Sequence, residues 1–555
     1  MAVFTIPNSQ NEIRQNGRSD YGEIVESFGL NLNKKFGKIF TSQKLVKILN
    51  EDTDLGNSIV IALDFFENDY YALTDDDLYR CDATTDPTVT GNWSEVTAIT
   101  SATNSSSDLV VFDGKLLISA GSSIYSWDGS TFANNWNSGK ISSLTAAAQM
   151  HVHRGGAETL FVLDQNTVKY WNTDAGQSTV ELQTDLTATC VTSGVNAIWV
   201  GTSSESGTNA YVYEIYVGEQ IDAAPVARNA YKVEGKAVMA IEVIDNVPYI
   251  VTEKGNIQAF NGAGFSTVAS FPFANTTEVI NTDSVTPNGM KLHNNSLYIN
   301  IATDLRGSGE DYAVNTPSGI WEFNRITGQL THRFGFVESS SDKGALHLDD
   351  GIAGAVYIMD NQYGLLLASA LNAKSGASSG LYCDTGGSYG YFITGEINSD
   401  TVADAYESIY TKAKTLSVDE SIEIKYRTRK IDREFADMTA AGTDVINTTD
   451  TFTNVAVGWE VTDIHTGKTA HITAITESTN TISMKLDRDI ATAGASLRCV
   501  FHNWSLIADE YTSADGEVKR NGGFGTNPWI QFKVILDGDI EMRQFMVKSN
   551  SKPEV

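Results

Sequence analysis

The sequence predicts an all-β protein: a β-propeller of about seven blades, then an antiparallel β-sandwich carrying an inserted small β-barrel-like domain. Three observations carry this. A strand ending of the form apolar-x-x-apolar, closed by Asp or Asn, recurs along residues 58–400. Glycine outnumbers proline 46 to 9, the balance of a chain with many tight turns. Beyond residue 400 the repeat gives way to longer strands of period two.

Residues 1–57 precede the first repeat. Met1 to Asp20 is polar and lacks the apolar core of a signal peptide. Gly37-Lys-Ile-Phe40 and Lys44-Leu-Val-Lys-Ile48 alternate like strands. The segment is expected to lend a strand that closes the propeller ring, or to dock as an arm on a neighbouring subunit.

The repeat itself reads Leu78-Tyr-Arg-Cys81-Asp82, Ile124-Tyr-Ser-Trp127-Asp128 and Val168-Lys-Tyr-Trp171-Asn172. Val212-Tyr-Glu-Ile215 is a weaker fourth copy without the polar residue. Ile257-Gln-Ala-Phe260-Asn261, Ile320-Trp-Glu-Phe323-Asn324 and the shortened Leu381-Tyr-Cys383-Asp384 complete it. A spacing of roughly 45 residues, with several short strands per unit, is that of propeller blades. Within copies, Leu109–Phe112, Lys115–Ser119 and Ser123–Trp127 turn at Asp113-Gly114 and Ala120-Gly121. Val238–Ile244, Val247–Thr252 and Asn256–Phe260 turn at Asp245-Asn246 and Lys254-Gly255. The longer late spacings come from loops at Asp304–Ser318 and Ala373–Ser379. Trp127-Asp128 is no WD repeat, because the Gly-His element is missing and the pair does not recur. Nor is Ser126-Trp-Asp-Gly-Ser-Thr-Phe132 a sialidase aspartate box, since Asp128 and Gly129 are adjacent. Trp127, Trp171, Trp321 and Phe323 fall in repeat strands and are expected to pack between blades.

The sandwich is expected over 401–439 and 504–555, with Ser421-Ile-Glu-Ile-Lys-Tyr-Arg427 and Trp529-Ile-Gln-Phe-Lys-Val-Ile-Leu536 as strands and Asp537-Gly538 turning into Glu541–Val547. The inserted domain is expected over 440–503, with strands Val455–Val461, Thr469–Ile475 and Thr481–Leu486 separated by His465-Thr-Gly-Lys468 and Glu477-Ser-Thr-Asn480.

The formal net charge is −30, and residues 58–400 hold 15 Lys+Arg against 39 Asp+Glu. Such a surface repels phosphate and argues against sequence-specific nucleic-acid binding. Cys81, Cys190, Cys383 and Cys499 lie far apart without metal-ligand spacing and read as buried free thiols. No apolar stretch reaches the roughly 18 residues of a membrane-spanning helix. No GxSxG, Walker A, HExxH or dinucleotide motif occurs. An arginine triad drawn from Arg154, Arg228, Arg306, Arg325 and Arg333 has nothing to single it out. His151 and His153 share a strand face but lack a third metal ligand, and Asp75-Asp76-Asp77 lacks the pattern of a calcium loop. The sequence therefore nominates no catalytic, cofactor or metal residue, and no cofactor.

The strings Val455-Ala-Val-Gly-Trp-Glu-Val-Thr-Asp463, Thr466-Gly-Lys-Thr-Ala-His-Ile472 and Thr481-Ile-Ser-Met-Lys485 resemble a module of tailed-bacteriophage structural proteins. Glu423-Ile-Lys-Tyr-Arg-Thr428 and Ile530-Gln-Phe-Lys533 are similar to sandwich domains of phage tail proteins. Propellers with appended β domains resemble tail hub or nozzle proteins of short-tailed phages. The resemblance implies a non-enzymatic virion protein of tail or neck, made in the host cytoplasm. It implies a ring-shaped homo-oligomer that meets other tail or neck proteins and lines or caps the DNA exit path. The alternatives are a carbohydrate-binding receptor-recognition protein and a propeller glycosidase or lyase.

Overall fold

In the computed structural model, strand makes up 62% of the described residues and helix 2%. The structure describes all residues except 1, 6–23, 35–37, 49–54, 206–208, 218–225, 272–284, 303–317, 338–350, 373–379, 399–404, 450–454, 464–467, 508–516, 525–528, 551–555 and single or paired positions between these. The expected loops at Asp304–Ser318 and Ala373–Ser379 thus lie almost wholly outside the described residues, as does Arg306. Two compact units emerge. One comprises Lys47–Leu330 and Leu348–Asp384, the other Met1–Val46, Thr331–His347 and Thr385–Val555.

The first unit is propeller-like. Four-stranded antiparallel sheets cover residues 60–98, 108–133, 150–181, 186–232 and 238–270 in turn. Met290–His293, Ser296–Ile301 and Gly319–Asn324 repeat the up-down order, as do Gly351–Ile358, Leu366–Asn372 and Gly380–Cys383. The first strand of each sheet neighbours the first strand of the next, and Gly351–Ile358 lies against Val60–Phe66, so the circuit closes.

Local chemistry explains the hairpins. Glu67-Asn68, Asp113-Gly114, Asp245-Asn246 and Asn294-Asn295 each place both turn residues at positive φ. Turns of that hand match the twist of the strands they join, and Asn, Asp and Gly tolerate them best. The polar residue that closes five of the repeats has an equally specific task. The Asp128 carboxylate accepts the N–H groups of Ser130 at 3.0 Å and Thr131 at 2.7 Å. Asn261 does the same for Ala263 and Gly264, and Asn324 for Ile326 and Thr327. Asp82 takes Thr84, and Asn172 takes Asp174. The repeat is therefore a strand plus the side chain that turns the chain into the next one.

Packing between sheets uses the residues that mark the repeat. Trp127 Nε1 donates to Tyr71 Oη at 3.0 Å, and both belong to an apolar cluster joining the first two sheets. Trp321 is fully buried, edge-on to Phe271 at 5.5 Å. Leu367, Leu381 and Cys383 of the last sheet share a cluster with Val60, Leu63 and Tyr70 of the first. Gly201 sits where a Cβ would lie 2.5 Å from Cys190 Sγ and 2.7 Å from Val238 Cγ1, so only glycine lets the neighbouring strand approach. Ile48, just after the strand Leu45–Lys47, donates its N–H to Leu381 O at 2.9 Å.

The second unit holds two six-stranded sheets. One orders Leu30–Asn31, Ile39–Thr41, Glu541–Asn550, Ala405–Ala413 and Glu517–Asn521, with Ala2–Thr5 also on Glu541–Asn550. The other orders Ile24–Phe28, Tyr389–Thr394, Trp529–Asp537, Ser421–Arg427 and Ser505–Leu506, with Ile397–Asn398 on Trp529–Asp537. Phe392, Ile530, Phe532, Val534 and Phe545 are fully buried in a cluster drawn from both. The N-terminal segment thus supplies strands to each of these sheets. Gly29, at φ +61°, is the corner between the strand it gives to one and the strand it gives to the other.

The inserted domain is a closed barrel ordered Asp432–Ala440, Val445–Thr448, Ile482–Leu486, Thr469–Glu477, Glu460–Asp463 and Ser496–His502. Met438, Ile446, Val461, Ile472, Met484, Cys499 and Phe501 fill it.

Candidate functional site

Register picks out one tier of the first-strand circuit. Asp64, His151, Glu242 and Lys291 each lie two residues before the last cross-strand pair of their hairpin. Successive strand residues face opposite ways, so a shared register position gives these side chains a common level in neighbouring strands. Each is half-buried, in partial contact with solvent yet ringed by protein. Burial raises the Asp64 carboxyl and the Glu242 carboxyl, and the charge of Lys291 pulls both back. One step deeper, burial pushes Asp108 up to about 7 against hydrogen bonds from the N–H groups of Met150 and Leu109 and the charge of Lys291. Burial, with Lys291, His153 and Arg154, holds His151 at about 4. One ammonium thus acts on four groups from four other strands.

The next register position is apolar in five hairpins, with Thr192 and Tyr357 at the same position in two others. Phe65, Val111, Val152, Val243 and Leu292 each lie one residue before the last pair of their hairpin. Phe65 and Leu292 are each 39% exposed, and Val195 in the adjoining turn is 62% exposed. Beyond them the turns meet at one end. Asp113 donates its N–H to Glu158 Oε2 at 3.3 Å, and Val195 donates to Asn246 Oδ1 at 3.1 Å. Arg154 pairs with Glu158 at 3.1 Å, and Arg325 pairs with Asp245. Glu67, Asp113 and Asp360 are exposed there as well. The result is a mouth with an acidic rim, an apolar collar and a floor of two carboxyls around one ammonium.

His151 Nε2 lies 2.6 Å from Ser193 Oγ, which brings an imidazole to a hydroxyl. An imidazole held at about 4 is a poor general base at neutral pH, and among the described residues no carboxylate hydrogen-bonds to its Nδ1. His153, on the same strand, is buried with both ring nitrogens lacking a hydrogen bond.

Among the described residues the arginines do not form a cluster; the Arg228 side chain and Arg306 lie outside them. Arg154 and Arg325 serve the rim, whereas Arg333 belongs to the other unit and hydrogen-bonds Ser42 Oγ. Asp76 and Asp77 donate backbone N–H groups to Thr74 Oγ1 in a tight turn. All four cysteines are buried. Among the described residues no group of three or more His, Cys, Asp or Glu is placed to hold a metal, and no helix is long and apolar enough to cross a membrane.

The second unit contains a buried charge cluster where the barrel meets a sheet. Glu460 of the barrel, 1% exposed, pairs with Lys425 and, at 2.7 Å, with Lys533, both from the sheet. Lys425 also lies 2.9 Å from Glu423 Oε1. Burial alone raises the Glu460 carboxyl, but Lys425, Lys533 and His502 hold it well below the usual range. Beside it a cavity of about 20 Å³, enough for one water, is lined by Tyr389, Ser421, Glu423, Thr469, Arg488 and Asp537. Sequence reasoning missed both groupings. Neither has a local motif, because each is assembled by strand register across distant segments.

No family model matches the chain, and no curated protein matches it. Among solved structures it is similar to the computationally designed Ika8 protein at 13% identity and TM-score 0.37, covering 61% of this chain and 99% of that one. It is similar to Hsv2 of Kluyveromyces lactis at 8% identity and TM-score 0.32, covering 62% and 95%. The N-terminal domain of Nup159 matches at 13% identity and TM-score 0.29, covering 44% and 73%.

Proposed function

We propose that this chain is a non-enzymatic structural protein of a tailed-phage particle, placed in the tail or neck. In this reading the first unit is a seven-bladed propeller and the second a β-sandwich that carries the barrel. The observation that supports a structural role most directly is the fastening of the barrel. Glu460 enters the sheet between Lys425 and Lys533 and is almost fully buried, so the barrel is bolted to its carrier rather than hung on a linker. A load-bearing part needs modules with fixed orientation. The assignment to a phage comes from the likeness of residues 455–485, 423–428 and 530–533 to tail-protein modules.

The test is to raise antibodies against the purified chain and follow them through density-gradient fractions of phage particles, then by immunogold microscopy. Signal at the tail or neck of intact particles is expected. A chain found only in the soluble lysate overturns the assignment. A positive glycan array with the label at fibre tips would favour receptor recognition instead.

A further inference from the structure

We infer that the mouth of the first-strand circuit is a docking site for a peptide loop of a partner protein, carrying a basic residue flanked by apolar side chains. The inference holds independently of any virion assignment, because it rests on the mouth alone. Three levels of the site point to the same occupant. The rim turns expose Glu67, Asp113 and Asp360, and their neighbours Arg154 and Arg325 are already engaged by Glu158 and Asp245. Within the rim, Phe65 and Leu292 are exposed at one register position, which Val111, Val152 and Val243 occupy in three other hairpins, and Val195 is exposed in an adjoining turn. Phe65, Leu292 and Val195 are water-facing apolar side chains at the mouth of a chain of net charge −30, and they fit apolar side chains of a partner. Below the collar, Asp64 and Glu242 lie near a single ammonium, Lys291. Asp64 and Glu242 share Lys291, and Arg154, the other cation whose charge reaches Asp64, is engaged by Glu158, so a lysine or arginine at a loop tip would supply a countercharge the site lacks. His151, held at about 4 and hydrogen-bonded to Ser193, adds no competing charge at neutral pH. An acidic or phosphorylated ligand would meet repulsion at both levels.

The experiment pans a displayed library of random dodecapeptides on the full chain, then measures selected synthetic peptides by fluorescence polarisation. The expected consensus is a Lys or Arg between apolar residues. Binding should weaken roughly tenfold or more in Asp64→Asn/Glu242→Gln, which removes the countercharge, and in Phe65→Ser/Leu292→Ser. Lys291→Met should tighten binding by a similar factor, an outcome that misfolding cannot mimic. Changing the basic residue of the peptide to Glu should abolish binding to the unaltered chain. The proposal is overturned by the absence of any enriched sequence or by an acidic consensus. It is equally overturned if the affinities of the carboxylate and Lys291 variants stay within about twofold of the unaltered chain.

Discussion

Replacing Glu460 by Gln is the sharpest perturbation the structure offers. The side chain keeps its shape but loses the charge that holds the ammonium groups of Lys425 and Lys533, buried at 2% and 10% side-chain exposure. Removing one partner of a buried ion cluster leaves the others uncompensated, at a cost of about 3–5 kcal/mol. Replacing all four, as Glu423→Gln/Lys425→Met/Glu460→Leu/Lys533→Met, removes that imbalance, Glu423 being the second buried partner of Lys425, and should bring stability back to within about 1–4 kcal/mol of the original, on either side. Hydrogen exchange at Glu460–Asp463 and Ser421–Arg427 reads the local opening free energy at the junction. The pH dependence has a defined sign. Because the folded carboxyl titrates well below 4.5, its stabilisation is complete above the unfolded value and is lost as the pH falls toward the folded one. The Glu460→Gln protein should therefore lack this acid-sensitive component. A single-variant loss under about 1 kcal/mol, or a quadruple variant no better than the single one, would refute the reasoning.

Three further outcomes follow from burial. Trp321→Ala should cost about 3–5 kcal/mol in urea unfolding of the propeller-like unit, because the ring is fully enclosed against Phe271. The four thiols should resist an aromatic disulfide reagent at pH 8 in the native protein and react in urea, burial having pushed the Cys190 thiol up to about 12. In nuclear magnetic resonance, the His151 ring should remain neutral from pH 7 down to about 4. Since the folded value lies below that of a free histidine, protonation favours the unfolded chain as the pH falls through that window.

The strands of the repeat were legible because their signals are local. Val238–Ile244, Val247–Thr252 and Asn256–Phe260 form as expected, and Asp245-Asn246 turns them at positive φ. The Asp or Asn that ends most copies was visible as a pattern, and in five of them its hydrogen bonds to the next turn explain why it recurs. The placement of the N-terminal strands was not legible, since Ile39 pairs with Met542 and Ile24 with Thr394. Alternation in the sequence says that a segment is a strand and leaves its distant partner open. The mouth was hidden for the same reason. Asp64, His151, Glu242 and Lys291 look unrelated until the hairpin register is known, and only then do the apolar residues that follow them line up as a second level.

The corner at Gly29 also sets a timetable. Ile24–Phe28 and Leu30–Asn31 sit in separate sheets, and the strand Ile39–Thr41 pairs with Glu541–Asn550. Residues near position 40 therefore wait for partners some 500 positions later in the chain. At about 5–20 residues per second of synthesis, that is a wait of roughly 25–100 s with unpaired strand edges exposed. Sheets such as 108–133, built from local hairpins, can form as they emerge. The two-sheet unit cannot, and a cell making this protein must shelter its opening strands until the closing ones arrive.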